Sequence, residues 1–226
     1  MISFPVLFVN FKTYQEATGK NAVLLAGKIE SAARQSGRSA VVVAQPADIL
    51  RVSSSVSLPV FAQHIDPVDF GSNTGSILPE SVKESGASGT VLNHAERKLS
   101  NDVLEKSIAR AKNLGLMVLA CAETAERAKL IASFRVKPDF IAIEPPELIG
   151  GEISVSTAKP SLISDSVNAV NSVSKIPVLT GAGIKNSADV SKAVALGTVG
   201  VFVASGIVKA KDPKAACLEL FSGFNK

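Results

Sequence analysis

Eight short runs of apolar, mostly β-branched residues recur along the chain, and longer stretches with helical spacing separate most of them. Runs that are apolar at every position predict strands buried on both faces, as strands of a parallel sheet are. Alternation of such strands with helices predicts repeated βαβ units. The predicted strands are Leu7–Phe11, Val41–Ala44, Val60–Ala62, Thr90–Leu92, Met117–Ala120, Phe140–Ile143, Val178–Thr180 and Gly200–Val203.

The stretches between the strands carry apolar residues about one helical turn apart. Asp212 followed by Pro213 predicts a helix start, and Gly115 and Gly197 stand where helix ends are expected. The segments after the second and third strands are short or irregular. The predicted helices are Asn21–Ser36, Asn101–Leu114, Glu123–Phe134, Ser161–Ser174, Ser187–Leu196 and Pro213–Phe221.

Eight βα units within 226 residues favour a closed (β/α)8 barrel in a single domain, residues 1–226. Pattern alone leaves a doubly wound sheet open, although no GxGxxG motif follows the first strand. No apolar run reaches the length of a membrane span, and the apolar start, Met1–Asn10, lacks the basic region and cleavage site of a signal peptide. We interpret this start as the first strand.

The composition argues against several kinds of partner. Cys121 and Cys217 fit no metal-binding spacing and are too few for a disulfide framework, which favours a reducing cytoplasm. The net charge is +4, yet there is no dense Lys/Arg cluster, and one Tyr without any Trp makes a base-stacking surface difficult to build. A mild positive field that attracts a small anionic substrate is the better interpretation.

Polar residues end three of the predicted strands, and in a (β/α)8 barrel the carboxyl ends of the strands carry the active site. Asn10 and Lys12 end the first strand, His94 and Glu96 follow the fourth, and Glu144 follows the sixth. Taken singly, each has a structural alternative: a surface lysine, a core histidine or a capping carboxylate. Their joint placement at one end of the barrel favours a catalytic site.

Three loops add to this prediction. Prolines begin and glycines end the segment 145–151 after Glu144, which suits a lid that moves as a rigid piece, although an ordinary βα loop has the same composition. Small residues follow the last two strands at Gly181–Gly183 and Ala204–Gly206. Backbone N–H groups can approach an anion closely there, and loops after the seventh and eighth strands are the usual phosphate site of this fold.

These motifs together resemble the triosephosphate isomerase family, in the family's order and over nearly the whole chain. A single motif would be weak evidence for the family, whereas several motifs in the family's order are specific to it. The motifs are Asn10-Phe11-Lys12, Asn93–Arg97, Glu144–Gly151, and the turns at Gly183 and Ala204-Ser205.

The resemblance implies a TIM barrel that interconverts dihydroxyacetone phosphate and glyceraldehyde 3-phosphate, in glycolysis and gluconeogenesis, without metal or cofactor. By position, Glu144 would be the base and His94 the neutral electrophile. Lys12 would balance negative charge, and Glu96 would support the site. Substrate contacts would come from Asn10, Lys12, Ile149, Gly150, Gly183, Ala204 and Ser205.

The chain departs from the common family pattern in three ways. Ala95 replaces the usual Ser beside the histidine, the Gly181–Ile184 turn differs from the commoner Tyr-Gly-Gly-Ser, and the chain is short. The last two features resemble the compact archaeal branch. A cytoplasmic homo-oligomer is implied, with a tetramer favoured and a dimer possible, without nucleic-acid or membrane partners.

Other interpretations stay open at this stage. One is a different phosphate-binding barrel that acts on a sugar phosphate in amino-acid biosynthesis, and another is a non-catalytic phosphate-binding scaffold. His64, at the end of the third strand, is a possible second catalytic histidine, but we favour a structural role. In the family that the chain resembles, this stretch leads into a loop that docks on a neighbouring subunit. We predict packing roles for Cys121 and Cys217.

Overall fold

The eight predicted strands form one closed parallel barrel. The structure is a computed structural model, and it describes residues 2–145 and 155–225. Each strand pairs with the next one in sequence, and the last pairs with the first, so the closed barrel is confirmed and the doubly wound alternative is wrong. The strands are β1 (Val6–Asn10), β2 (Ser39–Ala44), β3 (Val60–Ala62), β4 (Gly89–Leu92), β5 (Met117–Ala122), β6 (Phe140–Ile143), β7 (Val178–Gly181) and β8 (Gly200–Val203).

Helices surround the barrel, and every predicted one is present with ends shifted by a few residues at most. Polar side chains cap the starts of several: Ser100, Thr124, Asn186 and Asp212 each accept a backbone N–H of the first turn. The helices are α1 (Lys20–Ser36), α2 (Ile49–Ser53), α3 (Pro79–Glu84), α4 (Asn101–Asn113), α5 (Ala125–Ala132), α6 (Val155–Ala158), α7 (Pro160–Asn171), α8 (Ser187–Ala195), α9 (Ser205–Val208) and α10 (Pro213–Ser222).

Apolar side chains of the strands alternate between two packed layers. One layer lies between the barrel and the helices, and the other fills the barrel interior. Phe8 is central to the interior, with its ring 5.4 Å from that of Phe61 and 5.5 Å from that of Phe140. A β-carbon at Gly89 would lie 2.5 Å from the Phe61 ring, so a small residue on β4 makes room for a large one on β3. The interior is therefore a solid floor beneath the carboxyl end of the barrel.

Helix lengths bear on membrane association. No helix within residues 2–145 and 155–225 is both long and apolar enough to cross a membrane.

Candidate active site

Residues from five strand ends line one cavity of about 340 Å³ at the carboxyl end of the barrel. Loops after β1, β4, β6, β7 and β8 all contribute. The sequence-predicted residues that line it are Asn10, Lys12, His94, Glu144, Gly183, Ala204 and Ser205.

Glu144 follows β6 directly and is only 6% exposed. Its backbone N–H donates to the Ala122 carbonyl oxygen at 2.9 Å, which fixes the strand end. Within the described residues, its Oε2 atom accepts no hydrogen bond. Burial raises the pKa of the Glu144 carboxyl above its ordinary value, and the neighbouring His94 and Lys12 only partly oppose this shift. A desolvated carboxylate with one oxygen that accepts no hydrogen bond is a stronger base than a carboxylate in water.

Gly181 and Cys121 form the walls that hold the Glu144 carboxylate. A β-carbon at Gly181 would lie 2.6 Å from Glu144 Oε1, so only glycine leaves room for the side chain. On the β5 side, the Cys121 thiol hydrogen-bonds the carboxylate. Burial and the nearby Glu144 charge raise the pKa of Cys121 well above its usual value, so the thiol stays protonated and donates. This places Cys121 in a buried supporting position.

His94 presents one ring nitrogen to the cavity in a defined protonation state. The Glu96 backbone N–H donates to His94 Nδ1 at 3.1 Å, so Nδ1 is an acceptor and carries no proton. The proton of the neutral ring is then on Nε2. Nε2 lies 3.7 Å from Glu144 Oε2, beyond hydrogen-bonding distance. The two groups therefore face a shared space without neutralising each other.

Lys12 is fixed in the cavity wall by contacts to its backbone and its side chain. Its N–H donates to Asn10 Oδ1 at 3.0 Å, and its carbonyl oxygen accepts from Gln63 Nε2 at 2.8 Å. The ammonium lies 2.8 Å from Glu96 Oε1, and the side chain is 12% exposed. Glu96 thus touches both Lys12 and the His94 loop, from a second cavity that adjoins the first.

Unfavourable backbone conformations are concentrated at this end of the barrel. Lys12, Asn93 and Ala182 are the non-glycine residues of the described chain with positive φ, at 47°, 59° and 66°. Each follows a strand that opens into the cavity. Asn93 holds its turn by donating to the Cys121 carbonyl oxygen at 2.8 Å and accepting from the Leu99 N–H at 2.9 Å. Such residues cost about 1–3 kcal/mol each, so their clustering marks a functional region.

His64 lies in the second cavity and is almost fully buried. Its Nε2 is 3.0 Å from Asp66 Oδ1, and burial lowers the pKa of the His64 ring. Asp66 in turn accepts the Ile77 N–H at 2.7 Å and lies 3.4 Å from Arg97. These contacts tie together the two ends of the loop between β3 and α3.

Some predicted site residues lie outside the described residues. They are Ile149 and Gly150, together with the predicted lid beyond Pro145. Among residues 2–145 and 155–225, no group of three or more His, Cys, Asp or Glu side chains could hold a metal ion.

Sequence reasoning missed three residues of this region, Tyr14, Gln63 and Lys185, and gave Gly181 a different role. Gln63 ends β3, so the same search of strand ends could have found it. Gly181 was noted for phosphate, whereas the structure shows it beside Glu144. Tyr14 and Lys185 follow their strand ends by several residues and enter the cavity only through the folding of the loops.

A buried carboxylate, a neutral imidazole and a lysine in one cavity of a parallel barrel define an α/β-barrel enzyme of the acid–base type. Comparison with known proteins is more specific. A family model described as triosephosphate isomerase matches residues 5–222. The chain therefore belongs to the triosephosphate isomerase family, as its motifs predicted, and is an isomerase of that type.

Named relatives agree with the family model. Triosephosphate isomerase of Methanobacterium bryantii is 45% identical over 96% of this chain and 96% of its own length. The enzyme of Methanothermus fervidus is 44% identical over 96% and 98% of the two chains. That of Methanosarcina acetivorans is 45% identical over 96% and 97%. The predicted likeness to compact archaeal members is thus confirmed.

Proposed function

We propose that Glu144 is the base, and His94 the electrophile, with which this isomerase interconverts dihydroxyacetone phosphate and D-glyceraldehyde 3-phosphate. The observation that carries the proposal is the 3.7 Å separation of Glu144 Oε2 and His94 Nε2 across one cavity. A substrate carbon placed beside the carboxylate would bring its carbonyl oxygen within reach of the imidazole N–H.

The chemistry follows from these two groups. Glu144 takes a proton from the carbon next to the carbonyl, and the electron pair of the broken C–H bond forms the enediolate. His94 Nε2–H stabilises the negative oxygen and moves protons between the two oxygens. The protonated Glu144 then returns its proton to the adjacent carbon, which completes the isomerisation without any cofactor.

The remaining predicted residues would bind the substrate. Lys12 lies beside the cavity and would balance the charge of the phosphate and the enediolate, with Asn10 holding its backbone. Backbone groups at Gly183, Ala204 and Ser205 would hold the phosphate, because they line the end of the same cavity. The family pattern adds Ile149 or Gly150. Glu96 would position Lys12 and the His94 ring.

At the level of the whole protein, we propose that residues 1–226 form one catalytic domain, which works in the cytoplasm in glycolysis and gluconeogenesis. We further propose a homo-oligomer, with a tetramer favoured over a dimer and with no nucleic-acid or membrane partner. The exposed loop between β3 and α3 supports self-association, since its Phe70 is 76% exposed.

A coupled isomerase assay of the parent and of Glu144→Gln tests the proposal. We expect kcat to fall by roughly 10²–10⁴-fold with a much smaller change in KM, because the amide cannot accept the proton. Circular dichroism spectra of the two proteins should match. An inactive parent would refute the activity, whereas an unimpaired variant would remove Glu144 as the base.

A further inference from the structure

We propose that Lys209 and Tyr14 are a pair of positioning residues that holds the phosphate end of the cavity in shape. The proposal rests on the function proposed above, because it concerns the backbone groups of Ala204 and Ser205. The observation that carries it is a contact between two loops, in which Lys209 Nζ lies 4.3 Å from the centre of the Tyr14 ring. An ammonium within about 6 Å of an aromatic ring is attracted to the electron-rich face of that ring.

Lys209 is joined to the phosphate end of the cavity through its backbone. It directly follows α9, and its N–H donates to the Ser205 carbonyl oxygen at 3.0 Å. The Val208 N–H donates in the same way to the Ala204 carbonyl oxygen at 3.0 Å. Ile207 and Val208 are buried, which fixes this helical turn to the barrel. A displacement of Lys209 would therefore be passed on to the backbone of Ala204 and Ser205.

Tyr14 belongs to the loop that carries Lys12, and both residues line the cavity. The Tyr14 ring is half-buried against the apolar layer around the barrel. Its carbonyl oxygen accepts from the Ala17 N–H at 3.0 Å and from Thr18 Oγ1 at 2.8 Å. These bonds give the loop a defined turn, so the ring has a fixed place in the cavity wall.

The contact between Lys209 and Tyr14 bridges loops that follow neighbouring strands. β1 and β8 are paired along the barrel wall, with Val9 opposite Val203 at the carboxyl end. The contact joins the two chain segments again beyond these strand ends. α9 also lies against the β7 turn, because a β-carbon at Gly206 would be 3.4 Å from the Ile184 carbonyl oxygen. The pair therefore limits how far α9 can move away from the β1 loop.

The pair acts on substrate affinity more than on the chemical step. Glu144 and His94 follow β6 and β4, whereas Tyr14 and Lys209 follow β1 and β8 on another side of the barrel. A looser α9 would hold the phosphate less tightly, while the base and the imidazole keep their places.

Steady-state kinetics of four variants test this inference. Lys209→Met and Tyr14→Leu each remove one half of the contact, whereas Lys209→Arg and Tyr14→Phe keep a cation and a ring. Lys209→Met and Tyr14→Leu should each raise KM for glyceraldehyde 3-phosphate about two- to fivefold, as the loss of an exposed cation–ring contact predicts. Their kcat should change much less. The two conservative variants should keep most of the affinity.

The double variant Lys209→Met/Tyr14→Leu shows whether the two side chains act as one pair. Its KM should rise no further than that of either single variant, because the same contact can be lost only once. Lys211→Met is the control for charge. Lys211 is exposed two residues further along the chain, so its loss changes the net charge equally and should leave KM unchanged.

Two further measurements separate a role in holding phosphate from a general structural role. In isothermal titration calorimetry, inorganic phosphate should bind Lys209→Met and Tyr14→Leu about two- to fivefold more weakly than it binds the parent. The kcat/KM for unphosphorylated glyceraldehyde should be the same in all of these proteins, since that substrate makes no use of the phosphate end.

Losses that multiply in the double variant would overturn the inference, because they would show two independent side chains. Equal losses for glyceraldehyde and its phosphate, an equal loss in Lys211→Met, or unchanged phosphate affinity would also overturn it. An inactive parent whose phosphate affinity still depends on both Lys209 and Tyr14 would refute the proposed reaction and leave the pair standing.

Discussion

At the scale of single residues, the site depends on what surrounds Glu144. Its carboxylate fits between a β7 glycine and a β5 thiol, with the His94 ring across the cavity. Burial raises the pKa of the Glu144 carboxyl, which strengthens the base and also makes the charged group costly for the folded state.

Replacing Gly181 with alanine should reduce kcat while the protein stays folded. The new β-carbon would lie 2.6 Å from Glu144 Oε1 and displace the carboxylate from its position opposite His94. We expect a loss of about 10²-fold, the order expected when a catalytic group moves by about 1 Å. Gly27→Ala is the matched control, because a β-carbon there meets nothing within 4 Å. Equal kinetics in the two variants would contradict this account of Gly181.

Glu144→Gln should raise the melting temperature near pH 7 even though it lowers kcat. The raised pKa means that the folded state prefers the protonated carboxyl, so this group's contribution to stability is lost as pH rises through that pKa. The neutral amide of glutamine removes the free-energy cost of a buried charge in the folded state. Each 1 kcal/mol gained would raise Tm by about 2–4 °C in a domain of this size.

Calorimetry at pH 7 and at pH 4 provides the check. The gain in Tm should shrink at pH 4, where the parent carboxyl is itself protonated. A gain of the same size at both pH values would show that the charge on Glu144 is not its cause.

At the scale of elements, the long loop between β3 and α3 is held by one side chain of α4. Arg110 donates to the Val68 carbonyl oxygen at 3.0 Å and lies 2.6 Å from Glu80 and 3.1 Å from Asp69. Hydrogen bonding to Arg110 lowers the pKa of Glu80, so the stability from this pair is lost as pH falls through that lowered pKa.

Arg110→Ala should loosen this loop and destabilise the protein by about 2–4 kcal/mol, because partly buried oxygens of Val68 and Glu80 lose their donor. Urea unfolding measures the free energy, and limited proteolysis between residues 63 and 78 reports the loop. Lys106→Ala on the same helix removes only an exposed pair with Asp102 and should cost roughly 0.3–0.5 kcal/mol. If both variants lost equal stability, Arg110 would not be the side chain that holds the loop.

The elements also show what a sequence can and cannot predict. All eight strands were predictable, because buried parallel strands are apolar at every position. The helices α6 and α9, at four residues each, are too short to show a period and were missed. Glu144, His94 and Lys12 follow strand ends. They could be predicted as site residues because the active site of a (β/α)8 barrel lies at the carboxyl ends of its strands. The position of Gly181 beside Glu144 depends on the register between β6 and β7. The spacing of residues along the sequence does not predict that register.

At the scale of the whole molecule, self-association should depend on the exposed loop between β3 and α3. Phe70→Ser removes its most exposed apolar side chain, and we expect a smaller particle mass at low protein concentration. Light scattering measures this mass. Leu24→Ser, at a residue that is 65% exposed on α1, should leave the mass unchanged. An unaltered mass for Phe70→Ser would place the interface elsewhere.

The pairing of β1 with both β2 and β8 has a consequence for synthesis on the ribosome. One edge of β1 pairs with β8, which is synthesised on the order of 190 residues later. Ribosomes add about 5–20 residues per second. β8 is therefore made about 10–40 s after β1, and any sheet that forms before then has unpaired backbone groups at both margins. We expect chaperone demand to peak late in translation and to fall sharply once β8 emerges.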